Sequence, residues 1–238
     1  MAENKLQSLT EIFNENFFRI PDFQRGYSWE KEQLDDFWED IKNLKDGKIH
    51  YTGLLTVEPV LKKQIENLEK WQDDIWLFER NMKSYYLIDG QQRLTTSIIL
   101  LNEILNKFGN DDGINFENKK YWTNKFLFKE YGSDYKSFIF GYEKDNPSDE
   151  YFKTKILNQE SSTADKVPEQ TLYTANLSFA KQFFKKKLEK LEKKELEDIF
   201  KKVTGKFKFN FYEIDDELDT YVTFETMNNR GKSLSNLE

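Results

Sequence analysis

Two spacings organise the hydrophobic positions of this chain. At intervals of three and four, Leu34, Phe37, Trp38, Ile41 and Leu44 form one stripe, with acids and lysines opposite. That period predicts an amphipathic helix over 29–46, capped by Ser28 and ended by Gly47. Ser8 and Glu11 stand at capping-box spacing and predict a short helix over 9–15. The most apolar helical stretch is 91–108, where Leu94, Ile98, Leu101, Leu105 and Phe108 make an inner face. Ile99 and Leu100 widen that face, so the helix is expected to be buried on most sides. A long later helix carries Phe179, Phe183, Phe184, Leu188 and Leu191 on its predicted inner face, and another follows over 194–203.

Shorter apolar runs read as strands. These are 17–20, stopped by Pro21, then 52–57 and 85–88, with an alternating stretch at 206–214. In the middle, 126–130 and 137–141 suggest two further strands, followed by a helix over 148–158. The charged stretch 60–82 reads as helical and as an insertion at the edge of the core. Residues 109–113 and 159–170 read as loops, 216–227 as a helix, and 228–231 as a turn. No internal repeat is visible. Together these elements predict an α+β fold with a small mixed sheet and packed helices.

Composition narrows the chemistry. The 238 residues carry a formal net charge of −7, which argues against a uniformly basic DNA-coating domain but not against a local basic groove. With no cysteine, disulfides, thiolate catalysis and Cys-based zinc sites are excluded, and the single histidine, His50, leaves no histidine cluster for a metal. His50 is assigned no catalytic role. No apolar run reaches membrane-spanning length and the first residues lack a signal-peptide core, so a cytoplasmic protein is expected. The ending NNRGKSLSNLE suggests a fragment of a longer protein.

Candidate chemistry concentrates where strand 85–88 turns into helix 91–108. Strand, glycine turn and helix gather backbone N–H groups and the positive helix end at one spot. Arg93, in the first turn, opposes the helix dipole at about 0.3–1 kcal/mol, a penalty that a bound anion would reverse. Asp89 and Gln92 also have capping-box spacing with Asp89 as N-cap, a reading that needs no ligand and leaves Gln91 and Arg93 unexplained. Both readings stay open on this motif alone. A second Gln-Arg pair, Gln24 and Arg25, lies among Phe23, Tyr27 and Trp29. There an arginine stacked on aromatic faces is favoured over a second phosphate clamp. Gly231, Lys232 and Ser233 resemble the tail of a P-loop, but Thr226 stands where a glycine is required and a helix precedes the turn, so a Walker-type loop is rejected. Nothing demands the clustered acids and lysine of a carboxylate-type nuclease.

Three segments then fall together. IPDFQRGYSW at 20–29, LIDGQQRLTT at 87–96 and FETMNNRGKSLS at 224–235 resemble, in order and interval, the N-terminal domain of the GmrSD-type modification-dependent restriction endonucleases. The resemblance implies a ParB/sulfiredoxin-like core that binds and hydrolyses a nucleoside triphosphate with Mg²⁺. It implies that the domain licenses attack on modified foreign DNA, commonly phage DNA, by an HNH-type nuclease in a C-terminal domain or a partner chain. One histidine cannot supply an HNH motif here. Sulfinic-acid repair is also excluded, because glutamine stands where sulfiredoxin has its cysteine. Carried over, Asp89, Gln91, Gln92 and Arg93 would be catalytic, with Asp89 on the metal; Gln24, Arg25, Gly90, Arg93, Asn228 and Asn229 would bind nucleotide. The expected organisation is a nucleotide-binding core over 1–110, a mainly helical middle over 111–205, and a strand and helix returning over 206–238. A homodimer is allowed. The rival readings are a non-catalytic ParB-like switch that binds nucleotide or DNA, and a protein-interaction scaffold.

Overall fold

The strand Lys83–Asp89 (β4) lies near the middle of a six-stranded mixed sheet, and the order of its neighbours sets the fold. A computed structural model describes residues 5–61, 69–132, 135–144, 146–160 and 170–214. In chain order the sheet strands are Lys5–Ser8 (β1), Asn16–Ile20 (β2), His50–Val60 (β3), β4, Phe140–Tyr142 (β9) and Phe207–Glu213 (β10). In space they run β1-β10-β3-β4-β2-β9. β2 is parallel to both β4 and β9, β3 is antiparallel to β4, and β10 is parallel to β3. The alternating stretch near 206–214 thus returns to the sheet beside β3, and the middle of the chain supplies the edge strand β9. Gly113–Ile114 (β5) with Glu117–Asn118 (β6), and Phe128–Tyr131 (β7) with Tyr135–Phe138 (β8), form separate two-stranded ribbons.

Among the described residues the α-helices are Leu9–Ile12 (α1), Lys31–Asn43 (α2), Ile75–Glu79 (α3), Gln91–Leu105 (α4), Lys119–Phe126 (α5), Asp149–Tyr151 (α6), Leu172–Leu188 (α7) and Lys193–Lys201 (α8). Helix α4 is the central one. Leu94, Ile98, Ile99, Leu100, Leu101, Ile104 and Leu105 are all buried, so it is covered on most sides, and α7, α5 and α8 pack against it. Aromatic edge-to-face contacts tie these layers together: Phe37 meets both Phe184 of α7 and Phe207 of β10, and Trp122 meets Phe200. The abundant phenylalanines therefore go largely into one continuous core.

Several local expectations are corrected. Helix α2 starts later, with Glu30 as N-cap and Gln33 closing the box, and Ser28 is used elsewhere. The helix expected over 148–158 is one α turn followed by a π turn at Phe152–Ile156. On α7 the buried residues are Thr174, Leu177, Ala180, Phe184 and Leu188, while Phe179 is 41% exposed. The inward stripe runs through the small Ala180, and Phe179, one position earlier, points off it. In the stretch expected to be helical over 60–82, the described part is a 3-10 turn at Glu69–Asp74 followed by α3. The helix expected at 216–227 and the turn at 228–231 lie outside the described residues.

Beside the edge strand, Arg19 pairs with Asp74 at 2.6 Å with both side chains nearly inaccessible, and the Arg19 guanidinium lies over the Phe17 and Trp71 rings. Among the described residues no helix is long and apolar enough to cross a membrane.

Candidate functional site: the junction at the start of helix α4

Gly90 makes the turn from β4 into α4. It is the N-cap of the helix at φ 87°, in the left-handed region. A Cβ there would lie 2.8 Å from both the Leu54 carbonyl oxygen and Leu55 Cδ1, so glycine is required by space as well as by conformation. Asp89 is therefore not the N-cap, and the capping box with Gln92, one of the two readings left open by the motif, does not form. Instead Asp89 Oδ1 accepts from the Gly90 N–H at 2.7 Å, and its carboxylate stays half-buried at the mouth of the turn.

The two glutamines after Gly90 hold a loop. Gln91 Nε2 donates to Gln24 Oε1 at 2.9 Å and to the Arg25 carbonyl at 3.1 Å. Gln24 Nε2 donates to the Ile88 carbonyl at 2.9 Å. That carbonyl is available because the β3–β4 register slips at Ile88: Thr56 opposes Asp89, and Val57 opposes Leu87. Gln92 takes the Ser28 N–H at 2.9 Å on its oxygen and donates to the Gly26 carbonyl at 3.1 Å. One turn further, the buried Tyr27 hydroxyl bonds Thr96 Oγ1 at 2.7 Å. Burial raises the Tyr27 hydroxyl far above its ordinary range, so it stays protonated at neutral pH. Residues 21–29 are thus latched across the first two turns of α4 by uncharged groups, and α7 backs them. The Tyr173 ring packs so closely on Gly26 that no Cβ would fit there, and Asn176 Nδ2 donates to the Tyr27 carbonyl at 3.3 Å.

Arg93 points to the other wall. Its guanidinium lies directly against Gly53, where a Cβ would collide with it, and Gly53 holds φ at 127°. Gly53 follows a second register slip, where Lys208 pairs Tyr51 and Phe209 pairs Gly53, leaving Thr52 as the extra residue. Thr52 Oγ1 is buried with no hydrogen-bond partner among the described residues. Neither Arg93 nor the exposed Arg25 forms an ion pair among the described residues. The junction therefore brings together Asp89, Gly90, Gln91, Gln92, Arg93, Gln24 and Arg25. Asn228 and Asn229 lie outside the described residues.

Sequence reasoning missed Gly53 and Gly26. For Gly53 a signal existed, since a glycine inside a strand marks a bulge or a close approach. The Tyr173–Gly26 contact spans 147 positions of the chain and had no local signal.

Physically, the junction can hold an anion. The start of a long helix carries roughly half a positive charge, and its first N–H groups lack intrahelical acceptors. A fork-shaped cation uncompensated by described carboxylates stands beside it. Asp89 adds one carboxylate. Among the described residues no group of three His, Cys, Asp or Glu side chains is gathered for a metal. His50 instead stacks on Phe207 at 4.5 Å, away from this junction. A cavity of about 390 Å³ also lies elsewhere, walled by Arg19, Lys70, Asp74, Tyr135 and Lys153 beside β2 and β8. No curated protein matches this chain. Residues 9–238 match the family described as the GmrSD restriction endonuclease, N-terminal domain, and the chain belongs to that family.

Proposed function

We propose that this domain binds a nucleoside triphosphate by its phosphates at the start of α4, hydrolyses it, and thereby licenses DNA cleavage by a separate HNH-type nuclease of the restriction system. The observation that carries this reading is the Arg93 guanidinium, set against Gly53 beside the helix N-terminus without a carboxylate partner among the described residues. A fork in that position matches two phosphate oxygens, and Gly90 lets the backbone approach them. Arg25, exposed on the latched loop, is the second cation that this reading assigns to the phosphates. Mg²⁺ commonly needs only one or two protein carboxylates when phosphates supply the rest of its shell, and Asp89 suits that role. In the reaction a water oxygen bonds to the γ-phosphorus while the bond to the β–γ bridging oxygen breaks, giving the diphosphate and inorganic phosphate. The contribution of this chain is positioning and charge stabilisation.

A second reading has its own support. The side-chain amides of Gln24, Gln91 and Gln92 are all engaged in latching the loop, which leaves them unavailable to orient water unless the loop opens. That favours a switch that binds nucleotide and changes the loop without turnover. The test is hydrolysis of ATP, GTP, CTP and UTP with Mg²⁺, alongside nucleotide binding, for wild type and Arg93→Ala. Multiple turnover lost in a folded Arg93→Ala supports the hydrolase. Binding without turnover supports the switch, and nucleotide binding unchanged by Arg93→Ala refutes both.

A further inference from the structure

The ribbon β7–β8 has two unlike faces. Its register sets Lys129 opposite Ser137 and Tyr131 opposite Tyr135, so these four side chains share one face, with Phe128, Glu130, Lys136 and Phe138 on the other. The first face packs on α3. Trp76 Nε1 donates to Ser137 Oγ at 2.7 Å, and Ser137 Oγ donates to the Asp73 carbonyl at 2.6 Å. The Arg80 guanidinium, at the end of α3, lies 5.9 Å from the Trp76 ring and 5.6 Å from the Tyr131 ring. The Tyr131 and Tyr135 rings are 6.4 Å apart, and Tyr135 also meets Trp76 at 6.2 Å. Even so, these two tyrosines stay 62% and 50% exposed.

Three cations gather at this face: Arg80, Lys129, and Lys125 near the end of α5. None of them forms an ion pair among the described residues, and the contact of Lys129 Nζ is the Met82 sulfur at 3.3 Å. Burial lowers both lysines from their ordinary range, and a neighbouring cation lowers each further: Lys129 acts on Lys125, and Arg80 acts on Lys129. Glu15 draws on both lysines, but from beyond ion-pair distance. Glu130 is taken by Lys136 at 3.1 Å on the opposite face. The neighbouring cavity is different, because its Arg19, Lys144 and Lys153 pair with Asp74, Asp73 and Asp149. The uncompensated positive charge therefore stands beside the exposed tyrosines and not in the cavity.

Cations that repel one another, set among open aromatic rings, complement a polyanion whose units each carry a flat ring. A phosphate chain relieves the repulsion, and unstacked bases cover the rings. A duplex offers phosphates but keeps its base faces inside the stack. An acidic peptide offers charge without a ring at each unit. We propose that the Tyr131–Tyr135 face of the β7–β8 ribbon binds a single strand of nucleic acid, with phosphates at Arg80, Lys125 and Lys129 and bases stacked on the two tyrosines. The negative net charge of the chain does not oppose this, since the positive charge is local. The surface uses no residue of the α4 junction, so it stands or falls apart from the nucleotide reading.

The test uses the complete endonuclease, without nucleoside triphosphate or metal, and labelled oligothymidylate and oligouridylate of about 12 nucleotides, within the span of such sites. Fluorescence anisotropy reads the affinity. Tyr131→Leu and Tyr135→Leu are each expected to weaken binding about 5- to 150-fold, as for loss of one stacked base. The combined Arg80→Gln, Lys125→Gln and Lys129→Gln variant is expected to flatten the slope of log affinity against log salt by about 2, as for three single-strand phosphates. Wild-type protein supplies a readout that no folding defect can mimic: iodouracil placed in the strand and irradiated is expected to crosslink to Tyr131 or Tyr135. Crosslinks only at other residues, affinity and salt slope unchanged in the variants, or tighter binding of a duplex of the same length or of polyglutamate overturn the proposal.

Discussion

Replacing Gly53 by alanine tests the candidate site most directly, because it moves Arg93 without removing it. The new Cβ would fall on the guanidinium, so the side chain must leave the wall of the junction. The substitution also forces a non-glycine residue to hold φ 127°, which costs about 1–3 kcal/mol of fold stability. For ligand binding, the loss is that of one charge-assisted, bidentate contact, about 1.5–3 kcal/mol, or roughly a 10- to 150-fold weaker affinity. Fluorescence anisotropy with a labelled nucleoside triphosphate reads the affinity, and a thermal melt reads the stability. Arg93→Lys is the companion: it keeps the charge, removes the fork, and is expected to lose affinity with little loss of stability. If Gly53→Ala folds and binds nucleotide like wild type, the position of Arg93 against β3 has no bearing on binding and the phosphate assignment fails.

Two further outcomes are expected. Gln91→Leu leaves Gln24 Oε1 and the Arg25 carbonyl without their donor, so it costs about 1–3 kcal/mol, and hydrogen exchange should accelerate over residues 21–29 more than over α7. Burial raises the Asp149 carboxyl from 3.8 to about 6 despite the opposing Lys153, so the folded chain binds more protons than the unfolded chain between those values. Stability contributed by this group is full below about pH 3.8 and is lost as pH rises through about 6; urea melts across that window should show the decline in wild type and a flatter profile in Asp149→Asn.

The main elements were legible because the pattern of the chain is consistent with its packing. Gln91–Leu105 is apolar on nearly every side and is buried on nearly every side, and Phe207–Glu213 alternates and lies in the sheet. Phe179 was misplaced because two adjacent helical stripes were both apolar, and only packing around Ala180 decides between them. At the site, the turn, Gly90 and the unusual placement of Arg93 were visible locally. The partners of Gln91 and Gln92 were not, since they stand more than 60 positions away and are mostly backbone groups, which carry no residue signature. The register slip that frees the Ile88 carbonyl for Gln24 is likewise a property of two paired strands, not of either sequence alone.

The latch across α4 is built from glutamine amides, backbone groups and a protonated tyrosine, with no ionised side chain in it. Neutral fasteners leave Asp89 as the carboxylate bonded at the positive end of the helix, whereas carboxylates in place of the glutamines would have cancelled more of that charge. They also make the clasp indifferent to salt and to moderate pH changes. Ionic strength should weaken whatever anion the junction holds while leaving the clasp shut, so loop opening and anion release are separable by salt alone.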